Sequence, residues 1–216
     1  MDFDHLTTRD VPVVPERAAL LVVDVQNFSA HRDGGEFRGL SPEEFEASYG
    51  WFFRHIEAET LPKIARLAAA SRAAGVEVIY TVIESLTRDG RDRSLDYRIT
   101  GFHVPRGSWD AQVLEAVAPA EDEIVLPKTS SNVFMSTTID YLLRNLARRQ
   151  LIVAGLVTDQ CVSSAIRDAC DLGYLVTMPV DACATYSPER HEAAVASLSG
   201  YCRQLPADAL VAEIAG

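Results

Sequence analysis

Four near-continuous apolar runs constrain the fold more than any other feature. They are AALLVV at 18–23, VEVIYTVI at 76–83, EIVL at 123–126 and LIVA at 151–154. None alternates strictly between apolar and polar residues, as a strand with one wet face would. Such runs belong to strands covered on both faces, the mark of a parallel sheet. Helical signals separate them. Ser41 and Glu44 form a capping-box pattern with Pro42 at the first helical position. That helix extends to about Ala74, with an interruption near Pro62 and Gly75 as its stop. Ser136 is placed to cap a helix over 137–149, with Ile139, Leu142, Leu143 and Leu146 on its apolar face. Arg144, Arg148 and Arg149 in its last turn suit the helix dipole. A short helix is expected over 110–117 and another from Ser187 to about Leu198. Further strands are expected at 174–178 and 209–214. The alternation predicts a three-layer α/β/α sandwich around a mainly parallel sheet with right-handed crossovers.

At 216 residues the chain is expected to form a single domain, 1–216, with 1–17 as an extended lead-in carrying Pro12 and Pro15. The net charge of -11 argues against a nucleic-acid or acidic-membrane partner, because phosphate contacts need a basic face. The cysteines, at 161, 170, 183 and 202, form no Cys-x-x-Cys pair and read as free thiols. The first residues are polar and carry no signal-peptide pattern, and no apolar run reaches membrane-spanning length. A cytoplasmic location is the resulting expectation.

The stretch LIVAGLVTDQCVSSAIRDACDLG at 151–173 joins a strand to a helix through a turn ending at Cys161. Val162, Ala165, Ile166, Ala169 and Cys170 fall on one face of that helix, and Gly173 is its stop. A thiol at a helix start meets free N–H groups and the positive dipole end, which lower its pKa. Alone, the same cysteine reads more readily as a small buried apolar residue, as most free cysteines are. In open α/β sheets, ligands bind beyond the carboxyl ends of the strands. Asp24 ends the first strand, Lys128 follows the third, and Cys161 follows the fourth. Each alone fits a turn or solvated residue. Together they place a carboxylate, an ammonium and a thiol at one crevice. There Lys128 favours the thiolate, Asp24 exchanges its proton, and helix-start amides hold an oxyanion.

The stretches ALLVVDVQNFS, VLPKTSSNVF, AGLVTDQCVSSAIRDACDLGY and VDACAT resemble the isochorismatase-like cysteine hydrolases over roughly residues 18–200. The resemblance implies a parallel six-stranded α/β sandwich and a triad of Asp24, Lys128 and Cys161. It also implies a cis peptide at Leu156-Val157, with the N–H groups of Val157 and Cys161 as oxyanion donors. A homodimer or homotetramer is implied too, and the aromatic run YGWFFRHI at 49–56 points the same way. Cys161 disfavours the isochorismatases proper, which generally lack it. Nicotinamidases add a metal site with histidines after the second strand, whereas IESLTRDGRDRSLDYR has none. His5, His31, His55, His103 and His191 show no ligand spacing, so neither metal nor cofactor is expected. What remains resembles the N-carbamoylsarcosine, ureidoacrylate and biuret amidohydrolases. These cleave a C–N bond of a small carbamoyl, ureido or carboxamide compound.

Candidate substrate contacts are arginines of the long 84–108 stretch, Arg88, Arg98 and Arg106, whose guanidinium groups match a carboxylate. Phe28, Trp109 and Phe134 are candidate walls, and Glu84, Asn132 and Gln160 candidate polar contacts. For each, a solvated or core position is the competing reading. Three rival classes differ in what they require. A papain-like pair needs a histidine at Cys161. A dinucleotide-binding domain needs Gly-x-Gly-x-x-Gly where this chain has DVQNFSA. A non-catalytic binding module needs no reactive thiol.

Overall fold

The computed structural model describes residues 5–216. Residues 1–4 of the expected lead-in lie outside the described residues. Residues 6–14 contain no helix or strand. They run along the molecule, where the Val13 N–H donates to Glu213 Oε1 and the Val14 N–H to Gln150 Oε1.

The strands are β1 (Ala18–Val23), β2 (Glu77–Ile83), β3 (Ile124–Lys128), β4 (Gln150–Leu156), β5 (Leu175–Pro179), β6 (Cys183–Ala184) and β7 (Arg203–Leu205). All pair in parallel in the order β3-β2-β1-β4-β5-β7, and the two-residue β6 lies beside the end of β4. The expected parallel sheet is present, and β6 and β7 are strands at positions where none was expected. The helices are α1 (Asn27–Ala30), α2 (Pro42–His55), α3 (Leu61–Ala74), α4 (Leu95–Ile99), α5 (Val133–Ser136), α6 (Ile139–Asn145), α7 (Ser163–Asp171), α8 (Pro188–Leu198) and α9 (Ala207–Ala215).

Strand alternation explains the layers. Ala18, Leu20 and Val22 point to one face, where they meet Phe52, Phe53, Ile64, Leu67 and Leu210. Ala19, Leu21 and Val23 point to the other, against Leu143, Ile166 and Leu198. Helices α2, α3 and α9 therefore cover one side, and α6, α7 and α8 the other. Every residue of β1 and β4 is buried, as their unbroken apolar runs require. Gly155 permits a close approach of β4 to β1. Its φ is +120, and a Cβ there would stand 2.2 Å from the Val23 carbonyl oxygen.

The capping box is present, since the Glu44 N–H donates to Ser41 Oγ and the Ser41 N–H to Glu44 Oε2. The helix interruption falls on a wide turn, Ile56–Thr60, just before Pro62. Pro62 follows this turn at the start of α3, with Thr60 and Leu61 before it already helical, so the regular ladder is broken where the missing N–H falls. Phe52, Phe53 and Ile56 from the aromatic run are fully buried, so most of that run feeds the core rather than an outer face.

Three local expectations are corrected. Residues 209–214 belong to helix α9, whose buried Ala207, Leu210 and Ile214 recur at helical spacing. Six residues are too short a window to separate that period from a strand. Ser136 caps no helix; its Oγ donates to the Asn132 carbonyl, while the Ile139 N–H donates to Thr137 Oγ1. Helix α6 ends at Asn145, and Ala147 turns left-handed at φ 54 before Arg148 and Arg149. Residues 110–117 form two 3-10 turns, Trp109–Ala111 and Glu115–Val117, instead of one helix. The buried Gln26 side chain holds the first of these by donating to the Asp110 carbonyl.

Candidate active site

Parallel strands bring their carboxyl ends to one edge, and the register fixes what meets there. Val23 pairs with Thr81 and Gly155, and Ile83 pairs with Lys128. Asp24 follows β1 with a left-handed φ of 52, a conformation that Asp and Asn adopt more readily than most residues. Its N–H donates to the Thr81 carbonyl at 3.1 Å, and Thr81 Oγ1 donates to Asp24 Oδ1 at 2.8 Å. Gln26 locks the neighbouring strand ends, donating from Nε2 to the Ile83 carbonyl and accepting the Ile83 N–H.

Lys128 is the last residue of β3 and is fully buried. Its Nζ stands 2.8 Å from Asp24 Oδ2, 2.9 Å from the Ser130 carbonyl, 3.0 Å from the Tyr97 hydroxyl and 3.4 Å from Cys161 Sγ. Burial acts to discharge the amine. Asp24, Cys161 and Tyr97 outweigh it, and the ammonium is held charged well above the ordinary lysine range. Tyr97 is pushed up by its own burial, against the pull of Lys128, and stays a neutral phenol.

Cys161 lies in a wide turn, Thr158–Val162, that leads into α7. The peptide Leu156-Val157 before it is cis, as the resemblance implies. Gln160 and Val162 donate their N–H groups to the Val157 carbonyl. Asp159 anchors the turn from outside by accepting from Thr185 Oγ1 at 2.6 Å and from Arg190 Nε at 2.8 Å. The expectation of a lowered thiol pKa is corrected. Burial pushes Cys161 up to about 12; Lys128 opposes this and Asp24 reinforces it. A helix-start position lowers a thiol only where desolvation does not exceed it.

A narrow pocket with about 20 Å³ of free space reaches Asp24 and Cys161. Val157 and Gln160 line it, as do Glu36, Tyr186 and Phe102. Of the sequence-derived substrate candidates, only Gln160 lines this pocket. Phe28 lies behind Phe102, ring edge to face at 5.2 Å. Arg88, Arg98 and Arg106 are exposed and outside the lining. Residue spacing along a 25-residue loop carries no information on which way they turn. Glu84 accepts the Gly107 N–H and closes that loop on itself. Trp109 packs on His31 at 4.9 Å. Asn132 caps α5 and donates to Asp168 Oδ2, and Phe134 packs near Tyr174 at 6.0 Å. Thr81, Tyr97, Glu36, Phe102 and Tyr186 escaped the sequence reading. Thr81 alone carried a signal, as a polar residue inside an apolar strand, two positions from its end.

Among the described residues, no three His, Cys, Asp or Glu side chains are grouped to share a metal ion. His191 is engaged with Thr158 Oγ1 at 2.9 Å.

These features define an α/β protein with a buried carboxylate, ammonium and thiol at the carboxyl edge of its parallel sheet. The chain belongs to the isochorismatase domain family, whose pattern matches residues 18–207. It is similar to the ureidoacrylate amidohydrolase RutB of Rhizobium rhizogenes, with 29% identity over 202 residues, covering 85% of this chain and 78% of that protein. Among solved structures it resembles an isochorismatase family protein from Desulfovibrio vulgaris, with TM-score 0.72 and 27% identity, covering 93% of this chain and 99% of the other. A cysteine hydrolase from Pseudomonas syringae pv. phaseolicola shares the fold with TM-score 0.78 and 24% identity, covering 94% and 95% of the two chains.

Proposed function

We propose that the chain is a cysteine-dependent amidohydrolase that cleaves a C–N bond of a small carbamoyl, ureido or carboxamide compound through an acyl-thioenzyme. One observation carries the reading: Lys128 Nζ contacts both Asp24 and Cys161, the one thiol among the described residues that lines the pocket. Family membership and the amidohydrolase name of the Rhizobium relative support the same class of bond.

The chemistry follows from the protonation states. With its pKa near 12, Cys161 rests as a thiol. Its proton therefore passes to the Asp24 carboxylate as sulfur attacks the carbonyl carbon, so Asp24 acts as general base. The Val157 and Cys161 amides stabilise the oxyanion. Collapse breaks the C–N bond, and the leaving nitrogen takes the proton from Asp24. Water then attacks the thioester or thiocarbamate and gives a proton to Asp24. The C–S bond breaks and the thiol is restored. Lys128 stays charged throughout and stabilises the negative charge that builds on sulfur and on Asp24. The homodimer or homotetramer that the resemblance implies, and a cytoplasmic location for the four free thiols, belong to this reading. No helix among the described residues is long and apolar enough to cross a membrane.

Ammonia release from a panel of ureido acids, carboxamides and nicotinamide tests the reaction. Cys161→Ala and Cys161→Ser are expected to abolish turnover while unfolding at the wild-type urea midpoint to within a small shift. Full activity in Cys161→Ala overturns the reading.

A further inference from the structure

The pocket beside Cys161 holds a second acidic group that the reaction above does not use. Glu36 lies in the 3-10 turn Gly35–Phe37 and shares the pocket lining with Cys161 and Gln160. Its Oε1 accepts from the Tyr186 hydroxyl. The Tyr186 ring is fixed in turn by edge-to-face packing on Tyr49 at 5.4 Å and Phe52 at 5.1 Å. The direction of the Glu36 carboxyl is therefore set by groups rooted in the core.

No cation answers it. Among the described residues that line the pocket, none is Lys, Arg or His. Arg38, two residues away, is committed to Asp110 at 2.8 Å. Arg190 lies over the Tyr186 ring at 5.2 Å but is held by Asp159, outside the lining. A largely buried carboxyl with one neutral donor is poorly satisfied when ionised. Burial accordingly pushes Glu36 up to about 7, although the Tyr186 hydrogen bond pulls the other way. Its remaining capacity is matched by an N–H donor. Once Glu36 is ionised, a second carboxylate in the same small space would meet like charge, and the nearby Lys128 is already paired with Asp24.

We infer that Glu36, positioned by Tyr186, receives the far end of the substrate, that this end is an N–H donor (an ammonium or a primary carboxamide), and that substrates ending in a carboxylate are disfavoured. The inference rests on the proposed amidohydrolase reading and assigns that same pocket its substrate class. It separates this chain from an enzyme for a ureido acid, the type of compound that the name of the Rhizobium relative specifies.

The test uses three ureido compounds of similar length: 3-ureidopropionate, 3-ureidopropionamide and 2-aminoethylurea. Ammonia release and product mass are measured at pH 6 and pH 8 for the wild type, Glu36→Gln, Tyr186→Phe and Cys161→Ala. At pH 8, where Glu36 is mostly ionised, the wild type is expected to favour the ammonium or carboxamide compound over the carboxylate by at least tenfold in kcat/KM. The ammonium-to-carboxamide ratio should rise from pH 6 to pH 8 as Glu36 ionises, and stay flat in Glu36→Gln. The variant should also narrow the preference against the carboxylate at least fivefold. A wild-type preference for 3-ureidopropionate at pH 8, or an unchanged ratio in Glu36→Gln, overturns the inference. Should none of the three be turned over, their protection of Cys161 from iodoacetamide gives the same ranking, and equal protection overturns it. Retained turnover in Cys161→Ala would sink the reaction reading instead, whatever the ranking of end groups.

Discussion

Lys128 Nζ lies 2.8 Å from Asp24 Oδ2, and the two side chains are 0% and 3% exposed. Removing the cation strands a buried carboxylate, which costs about 3–5 kcal/mol in buried pairs of this kind. Lys128→Met is therefore expected to lower the unfolding free energy by about that amount, read by urea denaturation. Ammonia release should fall more than a hundredfold. A variant as stable as the wild type would show that the pair contributes no net stability.

Asp24→Asn keeps the left-handed backbone that Asp24 adopts at φ 52, because Asn tolerates it equally. The expected outcome is a folded protein with turnover reduced by about a thousandfold, within the range general base catalysis supplies. Intact mass after incubation with substrate should show a covalent adduct wherever the second step is slowed more than the first. Undiminished turnover would remove Asp24 from the chemistry.

The high pKa of Cys161, about 12 through burial, predicts how the free enzyme is alkylated. The rate of iodoacetamide capture at Cys161, followed by peptide mass, should keep rising with pH beyond pH 9. A plateau already reached below pH 8 would reveal a preformed thiolate and remove the need for proton transfer during attack.

Tyr97 donates nothing to the reaction directly but accepts one Lys128 hydrogen bond at 3.0 Å. Tyr97→Phe leaves the ring packing in place and deletes that bond. A loss of about 1 kcal/mol in stability is expected. A fall in kcat larger than the change in KM should accompany it if the ammonium stabilises developing sulfur charge as proposed, because it is then less firmly aimed. An unaltered kcat would assign Tyr97 to packing alone.

Glu36 makes stability depend on pH in a direction opposite to most carboxylates. Its folded value, about 7, lies above the ordinary 4.5, so the folded state holds the proton more tightly. The stability this group contributes is fully present below about pH 4.5 and is lost as pH rises through about 7. The shift corresponds to about 3 kcal/mol. Urea midpoints of Glu36→Gln, compared with wild type across pH 4 to 8, should lack this decline. Parallel profiles for the two proteins would show that Glu36 titrates normally.

The strands were legible because β1, β2 and β4 are buried on both faces and leave no polar alternation to misread. The same geometry made Asp24, Lys128 and Cys161 legible as a group, since parallel strands deliver their carboxyl ends to one edge. Helix α9 was not, because LVAEI over a short window fits both periods. Glu36 and Tyr186 were invisible for a different reason. They sit 150 residues apart on irregular segments, and their pairing depends on how α2 carries Tyr49 and Phe52 under the Tyr186 ring. The arginines at 88, 98 and 106 drew attention by chemistry, yet the fold of their loop turns them to solvent.

Four acceptors surround the three protons of Lys128, and this arithmetic has a consequence for turnover. The cluster contains one negative carboxylate, one positive ammonium and a neutral thiol. Moving the Cys161 proton to Asp24 only relocates the negative charge from oxygen to sulfur, and the total stays at zero. The ammonium already donates to Cys161, Ser130 and Tyr97, with Asp24 as its ion-pair neighbour, so a thiolate formed there meets it without reorientation. On the proposed mechanism the buried centre carries no uncompensated charge during attack, and the step on a neutral substrate should be indifferent to ionic strength.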